Sequence, residues 1–215
     1  MTQLIEVPAG LNGVVAADTA IGAVDGDRGF FHYGPYDATV LARNRSFEDV
    51  WFLIRNGRLP NPGESEAFRA EVAGLRSIPT ELEPTIETVG RAGASMLSKL
   101  RAVLSVAAGP LGLDPVIDVD DAARRAQTLR LAALVPSALA ALHRIGAGER
   151  PVESDPSLGH AAAYLHQTTG VVPTPVAARA VEQYMILTID HGFNASTFTA
   201  RVVTSTGADV GSAIV

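Results

Sequence analysis

Apolar residues in this chain recur mostly at the three-to-four spacing of amphipathic helices, and only residues 1–35 break that rhythm. There Val14-Val15 and Ala20-Ile21 lead to the turn-forming pair Asp25-Gly26 and on to Gly29-Phe30-Phe31-His32-Tyr33. That order predicts small antiparallel ribbons. Next, Phe47, Val50, Trp51 and Ile54 share one face, predicting a helix over Phe47–Asn56. Ser46 is its expected N-cap, with Asp49 three residues on as a weaker capping box and Gly57 as the stop.

The same reasoning continues to the end of the sequence. Phe68, Val72 and Leu75 predict a helix from Pro62 to Arg76, closed by Pro79. Met96, Leu100, Val103 and Ala107 predict another over Ser95–Ala107, ended by Gly109-Pro110. Asp120–Arg144 reads as a long Ala/Leu-rich helix, kinked at Pro136 and ended by Gly146. Asp155-Pro156 and Thr174-Pro175 read as N-cap and N1-proline pairs opening helices to about Thr169 and Ile189. Further helices are predicted over Ala195–Ser205 and from about Asp209. The fold class is all-α with a small N-terminal β ribbon: residues 1–35 carry the strands and 36–215 the helices.

Composition narrows the function. With 47% hydrophobic residues, 20 Gly and 13 Pro, the chain reads as globular. A net charge of -6 with scattered Lys and Arg points away from nucleic acid. The apolar run Leu131–Leu142 is interrupted by Pro136 and shorter than the roughly 20 residues a bilayer requires, so no membrane span is expected. The absence of cysteine removes thiol catalysis and disulfides, in keeping with a cytoplasmic protein.

Five histidines carry most of the candidate chemistry: His32, His143, His160, His166 and His191. His160 and His166 lie on different helical faces without an acidic partner at helical spacing, so no metal site is expected. His143 reads as a helix-dipole residue and His32 as hairpin packing. Ser196 has no identifiable base, and Gly90-Arg91-Ala92-Gly93 lacks the spacing and preceding strand of a phosphate cradle. His191 has different company, in the run Asp190-His191-Gly192-Phe193-Asn194-Ala195-Ser196-Thr197-Phe198-Thr199-Ala200-Arg201. On one reading Asp190 and His191 end a helix, Gly192 turns the chain and Asn194 caps the next. On the other, an imidazole beside a helix N-terminus forms a carboxylate or carbonyl site.

That run closely resembles the oxaloacetate-binding turn of citrate synthases, and the likeness extends along the chain. Gly10–Ala16 with Thr19-Ala20-Ile21 is similar to the family's opening, and Asp25–Gly29, Tyr33-Gly34 and Tyr36-Asp37 to its next segment. Ser46–Val50 and Asn56–Pro60 resemble its first long helix and exit, Leu100–Ser105 a later helix, and Asp190–Asp209 its most specific block. The resemblance implies a helical large domain, a homodimer, and condensation of acetyl-CoA with oxaloacetate to give citrate without a separate cofactor. It also implies that His191 and Asn194 bind oxaloacetate. No residue of this chain is assigned the family's catalytic histidine or aspartate: the sequence stops before those positions, the carboxylate-clamping arginines and the coenzyme A domain. The expectation is therefore a single, incomplete large domain, inactive alone. Use of propionyl-CoA to give 2-methylcitrate stays open, as does a non-catalytic helical module that binds a dicarboxylate or a partner chain.

Overall fold

A computed structural model describes Ala9, Gly13–Val15 and residues 17–215. Strands β1 (Gly22–Asp25), β2 (Phe30–Tyr33) and β3 (Tyr36–Asp37) form an antiparallel sheet in that order, Gly22 opposite Tyr33 and His32 opposite Asp37. The predicted Asp25-Gly26 turn joins β1 to β2 through Gly26–Gly29. Val14-Val15 and Ala20-Ile21 are not strand. Val15 is exposed, and the Ile21 N–H bonds to Thr19 Oγ in a bend instead of to a neighbouring strand.

The sheet hands the chain to α1 (Ala38–Asn44), a helix its short apolar pattern did not announce. Asp37 starts it by accepting hydrogen bonds from the backbone N–H groups of Thr39 and Val40. Helix α2 (Phe47–Asn56) has the predicted bounds, with Ser46 as N-cap and Gly57 left-handed at its end. The capping box there is incomplete, because Asp49 instead accepts from the Ser65 hydroxyl of α3. Helix α3 (Pro62–Gly74) stops short of Arg76 and carries a full capping box between Asn61 and Glu64.

A 3-10 turn (Thr80–Leu82) leads into α4 (Glu83–Gly90), also unannounced, since only Ile86 and Val89 mark its apolar side. Helix α5 (Met96–Ser105) is followed by α6 (Ala108–Leu111), so Gly109-Pro110 lies inside a short helix instead of ending one. Helix α7 (Asp121–Gly146) runs unbroken through Pro136. Helix α8 (His160–Thr169) starts later than Asp155-Pro156 predicts. The Asp155 carboxylate bonds to the Ser157 N–H and hydroxyl in a local turn, leaving Glu48 of α2 to accept the His160 N–H at 2.8 Å. Helices α9 (Pro175–Thr188) and α10 (Ala195–Ser205) follow, capped by Thr174 and Asn194. Asp209 organises only a turn, its carboxylate accepting from the Gly211 and Ser212 N–H groups.

Three apolar clusters hold these elements together. The largest packs Ile86 of α4 and Val103 of α5 on Leu134, Ala138, Leu142 and Ile145 of α7. The second gathers Tyr33, Leu41, Val50, Leu53 and Ile186 from the sheet, α1, α2 and α9. The third joins Phe68 and Val72 of α3 to Leu129 and Ala133 of α7. By length and composition α7 could cross a membrane, with mean hydropathy 1.2 in its most apolar window, but its apolar positions are those of this core. Close packing demands a glycine at one crossing: a Cβ on Gly90 would lie 2.6 Å from Ile145 Cγ2.

His160 is buried against Phe47 and Trp51, with ring centroids 5.2 and 5.4 Å away, and Nδ1 lacks a hydrogen-bond partner. Burial first, and the Arg76 cation second, pull its pKa from 6.5 to about 4. The folded state therefore resists a proton that the unfolded chain takes up below about pH 6.5. This residue's stabilising effect is complete above that pH and is lost as pH falls toward 4. The loss at pH 5 should be about 2 kcal/mol. Denaturant melts of wild type and His160→Phe at pH 7 and pH 5 check it. The variant should lose less stability between the two pH values, and equal losses would refute the assignment.

Candidate functional site

The predicted site lies where α9 passes into α10. Beyond the last turn of α9 the chain reaches Asp190, which is buried and accepts the Gly192 N–H on Oδ2 at 2.9 Å. Gly192 (φ 79°) and Phe193 (φ 25°) are successive residues with positive φ, a conformation glycine adopts freely and phenylalanine rarely. Asn194 then caps α10, its Oδ1 accepting from Thr197 N–H at 2.7 Å. The backbone turns at Gly192 and Asn194 caps α10 as one sequence reading has it, but α9 ends at Thr188, so Asp190 and His191 lie beyond the helix. Both predicted ligand residues sit on this turn.

His191 is exposed between these constraints, and its ring makes no hydrogen bond among the described residues. Asn194 is half-buried, and with Oδ1 committed to the cap its amide N–H groups are the polar atoms left for a ligand. The first N–H groups of α10 add partial positive charge at the same end. Together these are donors suited to a carboxylate or a ketone oxygen. The Asp190 carboxylate is turned into the backbone, so it makes no acid–base pair with His191.

Side chains far away in sequence hold this turn in place. The Tyr33 hydroxyl on β2 donates to the carbonyls of Ile186 (2.7 Å) and Asp190 (3.1 Å). Burial pushes its pKa up to about 12, so it stays protonated and able to donate. Val24 of β1 lies against Gly192, where an added Cβ would come within 3.0 Å of its Cγ2. The Arg201 guanidinium stands 5.3 Å above the Phe193 ring and donates to the Asp18 carbonyl. Sequence reading missed Tyr33 and Val24 because contacts such as that of Tyr33 with Ile186 span 153 residues. No local motif announces them.

The remaining candidates lie elsewhere. His32 is tied to the Gly34 carbonyl, His143 is exposed near the end of α7, and His160 and His166 sit on α8. Among the described residues no three His, Asp or Glu side chains gather as a metal site. A cleft of about 780 Å³ opens between α4, the end of α7 and the segment before α8, lined in part by Arg76, Ile86, Ile145, Val152, Ser154 and Gln167. No residue of the His191 turn lines it.

Comparison with known proteins bears on the whole chain. Residues 10–215 match the family described as citrate synthase, C-terminal domain. A citrate synthase of Haloferax volcanii is 36% identical over 213 residues, covering 97% of this chain and 55% of the relative. A 2-methylcitrate synthase of Mycobacterium tuberculosis is 37% identical over 215 residues, covering 97% and 52%. The crystal structure of citrate synthase from Pyrobaculum aerophilum superposes with a TM-score of 0.85 at 27% identity, covering 99% of this chain and 57% of that one. That of Thermotoga maritima gives 0.83 at 25% identity, covering 97% and 53%. This chain thus spans about half the length of the curated relatives it matches. With the fold and sequence agreeing over nearly all its residues, the chain belongs to the citrate synthase family.

Proposed function

We propose that these residues form the oxaloacetate-binding part of a cytoplasmic citrate synthase-type acyltransferase that condenses acetyl-CoA with oxaloacetate to give citrate. The observation carrying this reading is the exposed His191 held beside the N-terminus of α10 by a turn with two successive positive φ angles. His191 would donate to the ketone or a carboxylate of oxaloacetate, with Asn194 and the α10 N–H groups completing the anion site. Removing a proton from an acetyl thioester requires a positioned base and stabilisation of the enolate. In this reading those groups come from outside the 215 residues. Propionyl-CoA as the acyl donor is a second reading, favoured by the 37% identity to a 2-methylcitrate synthase.

Two outcomes are expected in solution. Calorimetric titration should detect weak binding of oxaloacetate, lost in His191→Ala with little change in melting temperature because that ring is exposed. Asn194→Ala should instead cost about 1 kcal/mol of stability through the lost cap. Equal affinity of wild type and His191→Ala would overturn the site. The chain alone should show no release of coenzyme A from acetyl-CoA and oxaloacetate. Turnover within the usual enzyme range of about 1–1000 per second would overturn that part.

The reading also carries a homodimer. The Ala/Leu-rich Leu129–Leu142 stretch of α7 leaves little surface for an interface, since Leu129, Leu131, Leu134, Ala138 and Leu142 are all buried. Helix α9 keeps an outward stripe of Val176 (80% exposed), Ala180 and Tyr184 (69%). Light scattering after size exclusion should give twice 22.4 kDa, and Tyr184→Glu should shift it toward monomer. A monodisperse wild-type monomer at micromolar concentration would refute the dimer.

A further inference from the structure

We propose that Tyr33 is a positioning residue for the His191 site, acting through the backbone of the turn without touching substrate. This deepens the oxaloacetate reading and rests on it only where affinity is concerned. The last carbonyls of a helix lack intrahelical donors and need others. At the end of α9 the Tyr33 hydroxyl supplies one, sharing its proton between the Ile186 carbonyl, in the last turn, and the Asp190 carbonyl, one residue before His191. A single rigid side chain thus spans the exit of the helix and the start of the turn.

Tyr33 is itself held firmly. Its side chain is 1% exposed, its backbone pairs with Gly22 and Tyr36 in the sheet, and its ring meets Phe31 edge-on at 5.8 Å. The turn it braces is not one the backbone adopts unaided, because Phe193 has a positive φ directly after Gly192. Val24, next to Tyr33's strand, closes the other side of Gly192. An anion held at once by His191 and by the α10 N–H groups needs those two groups at a fixed separation. The sheet sets that separation through the phenol.

Tyr33→Phe removes one buried oxygen and keeps the ring. In this chain the variant should speed amide hydrogen exchange at Gly192 about tenfold relative to amides in α2, the equivalent of one lost hydrogen bond. It should also move the NMR chemical shifts of the His191 ring and weaken oxaloacetate binding about three- to tenfold. A core variant of matched melting temperature, Val103→Ala, should change neither Gly192 exchange nor affinity. Replacing Tyr33 with 3-fluorotyrosine, a stronger donor, should slow Gly192 exchange below the wild-type rate, and it serves as the test if Tyr33→Phe does not fold. Wild-type exchange and unchanged His191 ring chemical shifts in Tyr33→Phe would overturn the proposal, as would unslowed exchange in a fluorotyrosine protein tested alone. If wild type fails to bind oxaloacetate, the substrate reading falls, and exchange and the ring chemical shifts alone decide the role of Tyr33.

Discussion

Burial of α7 on more than one face is the constraint from which the rest of the packing follows. From Leu129 to Ile145 its apolar positions point toward α3 on one side and toward α4 and α5 on another, while α8 lies along a further surface. A helix so enclosed offers its buried polar groups little water, and the Ser137 hydroxyl finds a protein partner instead, donating to Gln167 Oε1 of α8 at 3.0 Å. Enclosure also explains how Pro136 can sit mid-helix. The loss of one backbone hydrogen bond is outweighed by apolar contacts on both sides of it.

Around this helix the second cluster does different work. It brings together the sheet, α1, α2 and α9, whose sequence positions range from Tyr33 to Ile186. Glu48 of α2 is buried and caps α8, which places a carboxylate at that helix's positive end. Arg76, just beyond α3, is buried as well and donates to the carbonyls of Asp155 and Leu158. These long-range polar links fix the connection between α7 and α8, where the backbone would otherwise have no regular partner.

The proposed site lies at the edge of this second cluster. The His191 turn lies outside the core, so its ring is free to meet a ligand, yet it hangs from α9 and from the hairpin, which are not free to move. Anion binding at a helix N-terminus needs little chemistry beyond such fixed N–H donors. Condensation of a thioester with a ketone needs much more, and the proposed function asks of the donors here only the recognition half of that task.

Helices α2, α3, α5, α7, α9 and α10 were legible in the sequence because each pairs an apolar stripe with a capping residue, as Ser46, Thr174 and Asn194 do. Both are local, and local signals survive without knowledge of the fold. Helices α1 and α4 were missed because they have only two turns and little stripe to read. The Asp155-Pro156 pair misled because the Asp155 carboxylate bonds to Ser157, while α8 takes its cap from Glu48, 112 residues away. The site divides in the same way. His191 and Asn194 stood out in the sequence through their immediate neighbours, and the turn itself is made by Asp190, Gly192 and Asn194. What braces that turn from outside, Tyr33 on the Asp190 carbonyl and Val24 on Gly192, exists only once the hairpin folds onto the end of α9. A hydrogen bond across 157 residues leaves no periodicity or spacing to read, so only the tertiary structure could decide it.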